Sequence, residues 1–164
     1  MNTKPAKVTG IVAIVAGIIF ILAGGVTWGL ITSNLNEQKI TVAEDSPMLP
    51  GDDVNGPFSA FAQAQIINTH AENLTGGKTY AELGGDVAAA EEAGDTALAE
   101  ELQGKRNTMM NASFLRASLF TSVVAYGVAA LVVGLGVVLA LVGWAFAALA
   151  RTAPAATSRQ ASTL

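Results

Sequence analysis

Two long stretches of this chain contain no Asp, Glu, Lys or Arg, and the polar residues are arranged around them. The first lies between Lys7 and Glu37, where Val8 to Ile31 reads VTGIVAIVAGIIFILAGGVTWGLI. A helix needs about 20 mostly apolar residues to cross a hydrocarbon layer of roughly 30 Å, so this run predicts a transmembrane helix over 8–31. A cleaved secretory signal is the rival reading, because Lys4 and Lys7 precede the run. Signal cores are shorter, roughly 7–15 residues, and Gly24-Gly25-Val26-Thr27-Trp28 is a poor cleavage context. The second stretch lies between Arg116 and Arg151, with an apolar centre from Leu119 to Leu149. It exceeds one bilayer crossing and holds no turn chemistry, which predicts a tilted or projecting helix rather than two spans. Trp28 and Trp144 each fall near one end of a span, where amphipathic rings favour the interface.

The segment between the spans has a different pattern. Residues 33–55 are polar, with Pro47, Pro50 and Gly51, and read as an extended connection. Alternation over Gln38–Val42 predicts one short strand. Pro57 is preset for a first helical turn, and Phe58, Phe61, Ala62, Gln65 and Ile66 recur at steps of three and four until Gly76-Gly77. That spacing predicts a helix over 57–75 with an apolar face to bury. A short helix is expected from Thr79 to Leu83, broken at Gly84-Gly85. Asp86 then caps another over 86–103, which ends at Gly104. From about Asn107 the chain reads as one unbroken helix leading into the second span.

The expected organisation is an N-terminal tail over 1–7, a span over 8–31 and an acidic segment over 32–106. A long helix over 107–150 and a disordered tail over 151–164 follow. The fold class is an all-α membrane protein, a two-helix transmembrane hairpin with a small, mostly helical extracytoplasmic segment. Charge gives the direction. All 13 acids fall between Glu37 and Glu101, while Lys4, Lys7, Arg151 and Arg159 stand in tails that contain no acid. Basic flanks stay cytoplasmic, so both termini are expected inside and the location is the plasma membrane. Acids outnumber bases 13 to 9, which disfavours a nucleic-acid partner.

Glycine recurs at a seven-residue step, two helical turns, in both spans. Gly10, Gly17 and Gly24 form one series, and Gly127 and Gly134, then Gly136 and Gly143, form two more. Gly25 and Gly29 add a GxxxG pair. Small residues let membrane helices approach closely. The expected packing seam therefore draws on Gly17, Gly24, Gly25, Gly29, Gly127, Gly134, Gly136 and Gly143, with Val133 off it, facing lipid.

Composition limits the chemistry. The chain has no Cys and one His, so thiolate sites and any site needing two imidazoles are beyond a single copy. The acid pairs Glu44-Asp45, Asp52-Asp53, Glu91-Glu92 and Glu100-Glu101 do not follow EF-hand spacing. There is no P-loop and no nucleophile elbow, and neither span carries an ionisable group near its middle. No catalytic, metal or cofactor residues are expected. Phe58, Phe61, Ile66 and His70 are the candidate partner contacts.

The strings GPFSAFAQAQIINTHA (56–71), TGGKTYAEL (75–83) and MNASFLRASLFTSVVAYGVAAL (110–131), together with the opening TGIVAIVAGIIFILAGGVTWGLI (9–31), resemble a family of small actinobacterial membrane proteins. Its members often carry the name aromatic ring-opening dioxygenase. The resemblance covers most of the chain outside 84–103 and the tail. It implies a plasma-membrane hairpin protein and carries over no catalytic residues. The expected function is that of a non-enzymatic accessory or structural subunit, which meets the lipid bilayer and either a membrane-protein partner or further copies of itself. A respiratory-chain accessory subunit is one instance. The alternatives are an extracytoplasmic binding or sensing module with an acidic head, and a dioxygenase-related subunit.

Overall fold

A computed structural model describes residues 4–152. The disordered tail expected over 151–164 lies outside them from residue 153 on, and its first two residues, Arg151 and Thr152, belong instead to the end of the last helix. Among the described residues four helices follow one another: α1 (Lys4–Glu37), α2 (Pro57–Thr75), α3 (Tyr80–Glu92) and α4 (Thr96–Thr152). Helices α1 and α4 are each long and apolar enough to cross a membrane. Only 17% of the most apolar window of either is buried within the protein. The core helix of a water-soluble domain is ordinarily mostly buried, which these two windows are not. Among the described residues there is no strand, and the structure is all-helical.

The described chain divides into two units, residues 4–28 with 128–152, and Gly29–Gly127. In the first, the two apolar helices run antiparallel, because Gly10, Gly17 and Gly24 meet residues of falling number in α4. Large side chains such as Ile11, Val15, Ile18, Leu131, Val138 and Leu141 point outward and are exposed.

The second unit has its own core of Leu35, Val42, Val54, Ala60, Ala62, Ala64, Leu119 and Tyr126. Alanines on α2 let it lie close to its neighbours, and Ala60 and Ala64 are fully buried. A smaller cluster joins Ala71, Leu83 and Met109. Helix α2 starts at Pro57, where Ser59 Oγ accepts from the Gly56 N–H at 3.2 Å. It ends where Gly76 turns left-handed (φ 68°) and the Gly77 N–H reaches back to the Glu72 carbonyl at 2.7 Å. These bonds satisfy amides and carbonyls that a helix end otherwise leaves open.

Five expectations for this unit are corrected. The strand over 38–42 is only an isolated antiparallel bridge, Thr41 to Asp53. The loop turns back at Leu49 and Gly51, both with positive φ, so too few residues remain opposite one another to form a ladder. Helix α3 is not broken at Gly84-Gly85, and Asp86 does not cap it. Its cap is Thr79, whose N–H and hydroxyl both donate to Glu82 Oε2, at 2.8 and 2.7 Å, while Thr79 Oγ1 accepts from the Glu82 N–H. This reciprocal box begins the helix seven residues before Asp86. Gly84 serves packing instead: a Cβ there would lie 3.3 Å from Nε of Arg106, whose guanidinium sits 4.2 Å from the Tyr80 ring centroid. The break comes later, at left-handed Gly94. Asp95 then caps α4 by accepting from the Leu98 N–H at 3.0 Å. Gly104 does not end a helix, and the long helix starts at Thr96 rather than near Asn107.

Candidate functional site

The sequence-predicted seam is the first place to look, and the structure selects one part of it. A Cβ built at Gly17 would lie 2.5 Å from the Gly136 carbonyl oxygen and 2.8 Å from the Ala140 nitrogen. Its counterpart at Gly136 would lie 2.7 Å from the Gly17 carbonyl oxygen. Gly10 and Gly143 show the same reciprocity, at 2.7 and 2.5 Å. At Gly24 the neighbours are the Ala129 carbonyl at 2.8 Å and a Val133 methyl at 2.6 Å. Backbone therefore rests on backbone at 10/143 and 17/136, and only hydrogen at the α-carbon fits there. Such approach gives van der Waals contact and brings Cα–H groups against carbonyl oxygens.

Gly25, Gly29, Gly127 and Gly134 are not in this contact. A Cβ at any of them would meet no atom within 4 Å among the described residues. Val133, expected on the lipid side, is instead against Gly24. The reason is rotational. Gly134 and Gly136 are two residues apart, about 200° around a helix, so a partner that touches one leaves the other facing away.

In the second unit the candidate contacts separate onto different faces. Ile66 is buried, whereas Phe58 is 73% exposed. Phe61 is half-buried, edge-on to Phe120 with centroids 5.8 Å apart. His70 Nε2 lies 2.7 Å from Asp45 Oδ2, joining α2 to the loop that precedes it. That hydrogen bond from His70 holds the Asp45 carboxyl below its ordinary value, with its own backbone N–H and the charge on His70 acting the same way against desolvation. Glu82 is also lowered, first by the Thr79 backbone N–H and then by the Thr79 hydroxyl. His70 also lines an open groove of about 280 Å³ between α2 and α4, with Ile67, Leu74 and Leu115. No group of three or more His, Cys, Asp or Glu side chains among the described residues is placed to hold a metal ion.

Two polar arrangements were not foreseen from the sequence. Tyr126 is 1% exposed, and its hydroxyl donates to the Asn55 carbonyl at 3.0 Å. Having given its one proton there, it accepts from Thr32 Oγ1 at 2.7 Å. It thereby ties α1, the loop and α4 together. The available signal was a hydroxyl-bearing residue inside a charge-free, apolar stretch. The second arrangement is a relay in which Arg116 Nη1 donates to Asn68 Oδ1 at 2.9 Å, and Asn68 Nδ2 donates to Glu72 Oε1 at 2.7 Å.

No family model matches this sequence, and no curated protein or solved structure matches it.

Proposed function

We propose that this is a non-enzymatic, two-span plasma-membrane protein with both termini cytoplasmic, acting as an accessory or structural subunit of a larger membrane complex. The observation that carries the reading is the pairing Gly10/Gly143 and Gly17/Gly136, with the large apolar side chains of the same helices turned outward. In water those outward faces would be an aggregation surface. In lipid they are the solvated faces, and close backbone packing is what holds two helices together. The resemblance to small actinobacterial membrane proteins points the same way. Against a ring-opening dioxygenase stands the donor set: one His per chain does not make a two-His iron site.

Two measurements test it. The chain has no Cys, so Glu91→Cys and Arg151→Cys, both at exposed positions, report sidedness without background. An impermeant thiol reagent on whole cells should label only the first; labelling of the second instead reverses the topology. A tagged chain taken from its native membrane in mild detergent should carry a stoichiometric partner. A lone chain, or one holding tightly bound iron that is lost in His70→Ala, overturns the functional reading.

A further inference from the structure

In the second unit, Phe58, Phe61, Gln65, Asn68 and Glu72 recur at steps of three and four along α2 and so share a face. Ser113, Ala117, Phe120 and Val124 do the same on α4. The contacts Phe61–Phe120 and Asn68–Arg116 set these two stripes side by side. Between Arg116 and Phe120 lies an open depression of about 390 Å³, lined also by Ser113 and Ala117.

Arg116 is the unusual member. The ion pairs among the described residues are Asp45–His70, Lys78–Asp86 and Lys105–Glu101. Arg116 has no carboxylate among the described residues, although 13 acids stand in the same chain. Its charge is met by one neutral carboxamide and by the Phe120 ring, 5.3 Å from the guanidinium carbon, and its Nε is buried without an acceptor. Further along the same two stripes, Phe58 and Val124 are exposed. A fixed guanidinium among exposed aromatic and aliphatic side chains matches the cores of protein–protein interfaces, which are enriched in Arg, Phe and Tyr. A carboxylate arriving there would complete a charge-assisted, bidentate pair that the chain itself leaves unmade. An anionic lipid surface fits less well, because Glu72 is held next to the cation through Asn68 and the rest of the segment is acid-rich.

We propose that the face bearing Phe58, Phe61, Arg116 and Phe120 docks a partner protein, which offers an Asp or Glu to Arg116 and apolar side chains to the rings. This rests on the accessory-subunit reading in requiring a partner, and adds where the partner binds and by what chemistry.

The test uses the full chain in its native membrane. In Arg116→Lys, a zero-length carbodiimide should couple the new amine to an acidic residue of a different polypeptide, mapped by mass spectrometry, with no such adduct in Arg116→Gln. Arg116→Glu should lower partner recovery at least tenfold, and replacing the mapped acid by Arg in the partner should restore it. A photo-crosslinker at exposed Ala117 leaves Arg116 intact and covers the shorter reach of lysine; its adducts should fall beside the same acid. Adducts only within the chain, with a second copy or with lipid overturn the proposal, as do adducts to a partner segment without an acid. A partner that still co-purifies while neither probe reaches it removes this surface alone. A chain that purifies with no partner removes the accessory reading as well.

Discussion

Gly17→Ala adds a single methyl group at one of the two tightest points of the antiparallel pair, and its cost can be estimated from the geometry. The new Cβ would lie 2.5 Å from the Gly136 carbonyl oxygen, where ordinary contact begins at 3.4 Å. The clashing atoms are backbone on the α4 side, so no rotamer change relieves them. The helices must separate locally by a substantial part of that 0.9 Å shortfall. A radial gap of about 0.5–1 Å already forfeits a quarter to a half of each van der Waals well. Inserting a methyl into a packed site costs roughly 1–3 kcal/mol, and we expect about 2 kcal/mol here because the seam propagates the gap to its neighbours. Gly25→Ala and Gly134→Ala are the controls: both sites are open, so the added methyl meets nothing and helix propensity favours it slightly. The assay is unfolding of the detergent-solubilised chain by increasing SDS mole fraction, followed through Trp28 and Trp144 fluorescence. Gly17→Ala should unfold clearly earlier than the parent, and the controls at or above it. If Gly17→Ala and Gly25→Ala unfold together with the parent, the close approach carries no stability and the reasoning fails.

Three further outcomes follow from the second unit. Tyr126→Phe leaves the Asn55 carbonyl and the Thr32 hydroxyl without their partner in a part-buried position, a loss of about 1 kcal/mol, measured by thermal unfolding and by faster hydrogen exchange around residue 55; an unchanged melting point refutes the role of that hydroxyl. His70→Gln should return the Asp45 carboxyl toward its ordinary value in a carbon-detected NMR titration. Because Asp45 is lowered in the folded chain, its contribution is present above the unfolded value of about 3.9 and is lost as pH falls through the lowered one; a titration unmoved by the substitution contradicts the pairing. Thr79→Ala removes the α3 cap at a cost of about 1 kcal/mol. It should raise hydrogen exchange over 80–84 and let Glu82 titrate closer to an ordinary glutamate, and protection equal to the parent's rules the cap out.

What could be read from the sequence follows from which features are local. The all-helical class and the two apolar helices rest on composition within single windows, and windows of that kind need no knowledge of neighbours. Both ends of α2 are likewise written locally, in Pro57 and in Gly76-Gly77. Glycine elsewhere is ambiguous, because the same residue serves a turn or a close contact. Gly84-Gly85 reads as a break. The structure spends Gly84 on the approach of Arg106, twenty-two positions away, which no local window reveals. Thr79 and Glu82 do carry the spacing of a capping box, a local signal for the start that α3 adopts.

The seam shows the same limit at the scale of a helix pair. Two antiparallel registers bring glycines together. One sets Gly17 against Gly134 and Gly24 against Gly127; the other sets Gly10 against Gly143 and Gly17 against Gly136. They differ by a shift of two residues in α4, which turns the opposite face of that helix toward α1. Each register offers two glycine pairs, so a glycine count does not choose between them. The third step does. In the adopted register Gly24 meets Ala129 and Val133, so a small residue continues the seven-residue series where glycine stops. In the alternative, Gly10 would face position 141, where Leu141 would push the ends apart. A helix pair packs along its whole crossing, and one bulky residue at a seam position holds the backbones apart over that turn. The register is therefore chosen by the residue each series puts at its third position, and Gly134 is left facing outward despite matching the pattern as well as Gly136 does.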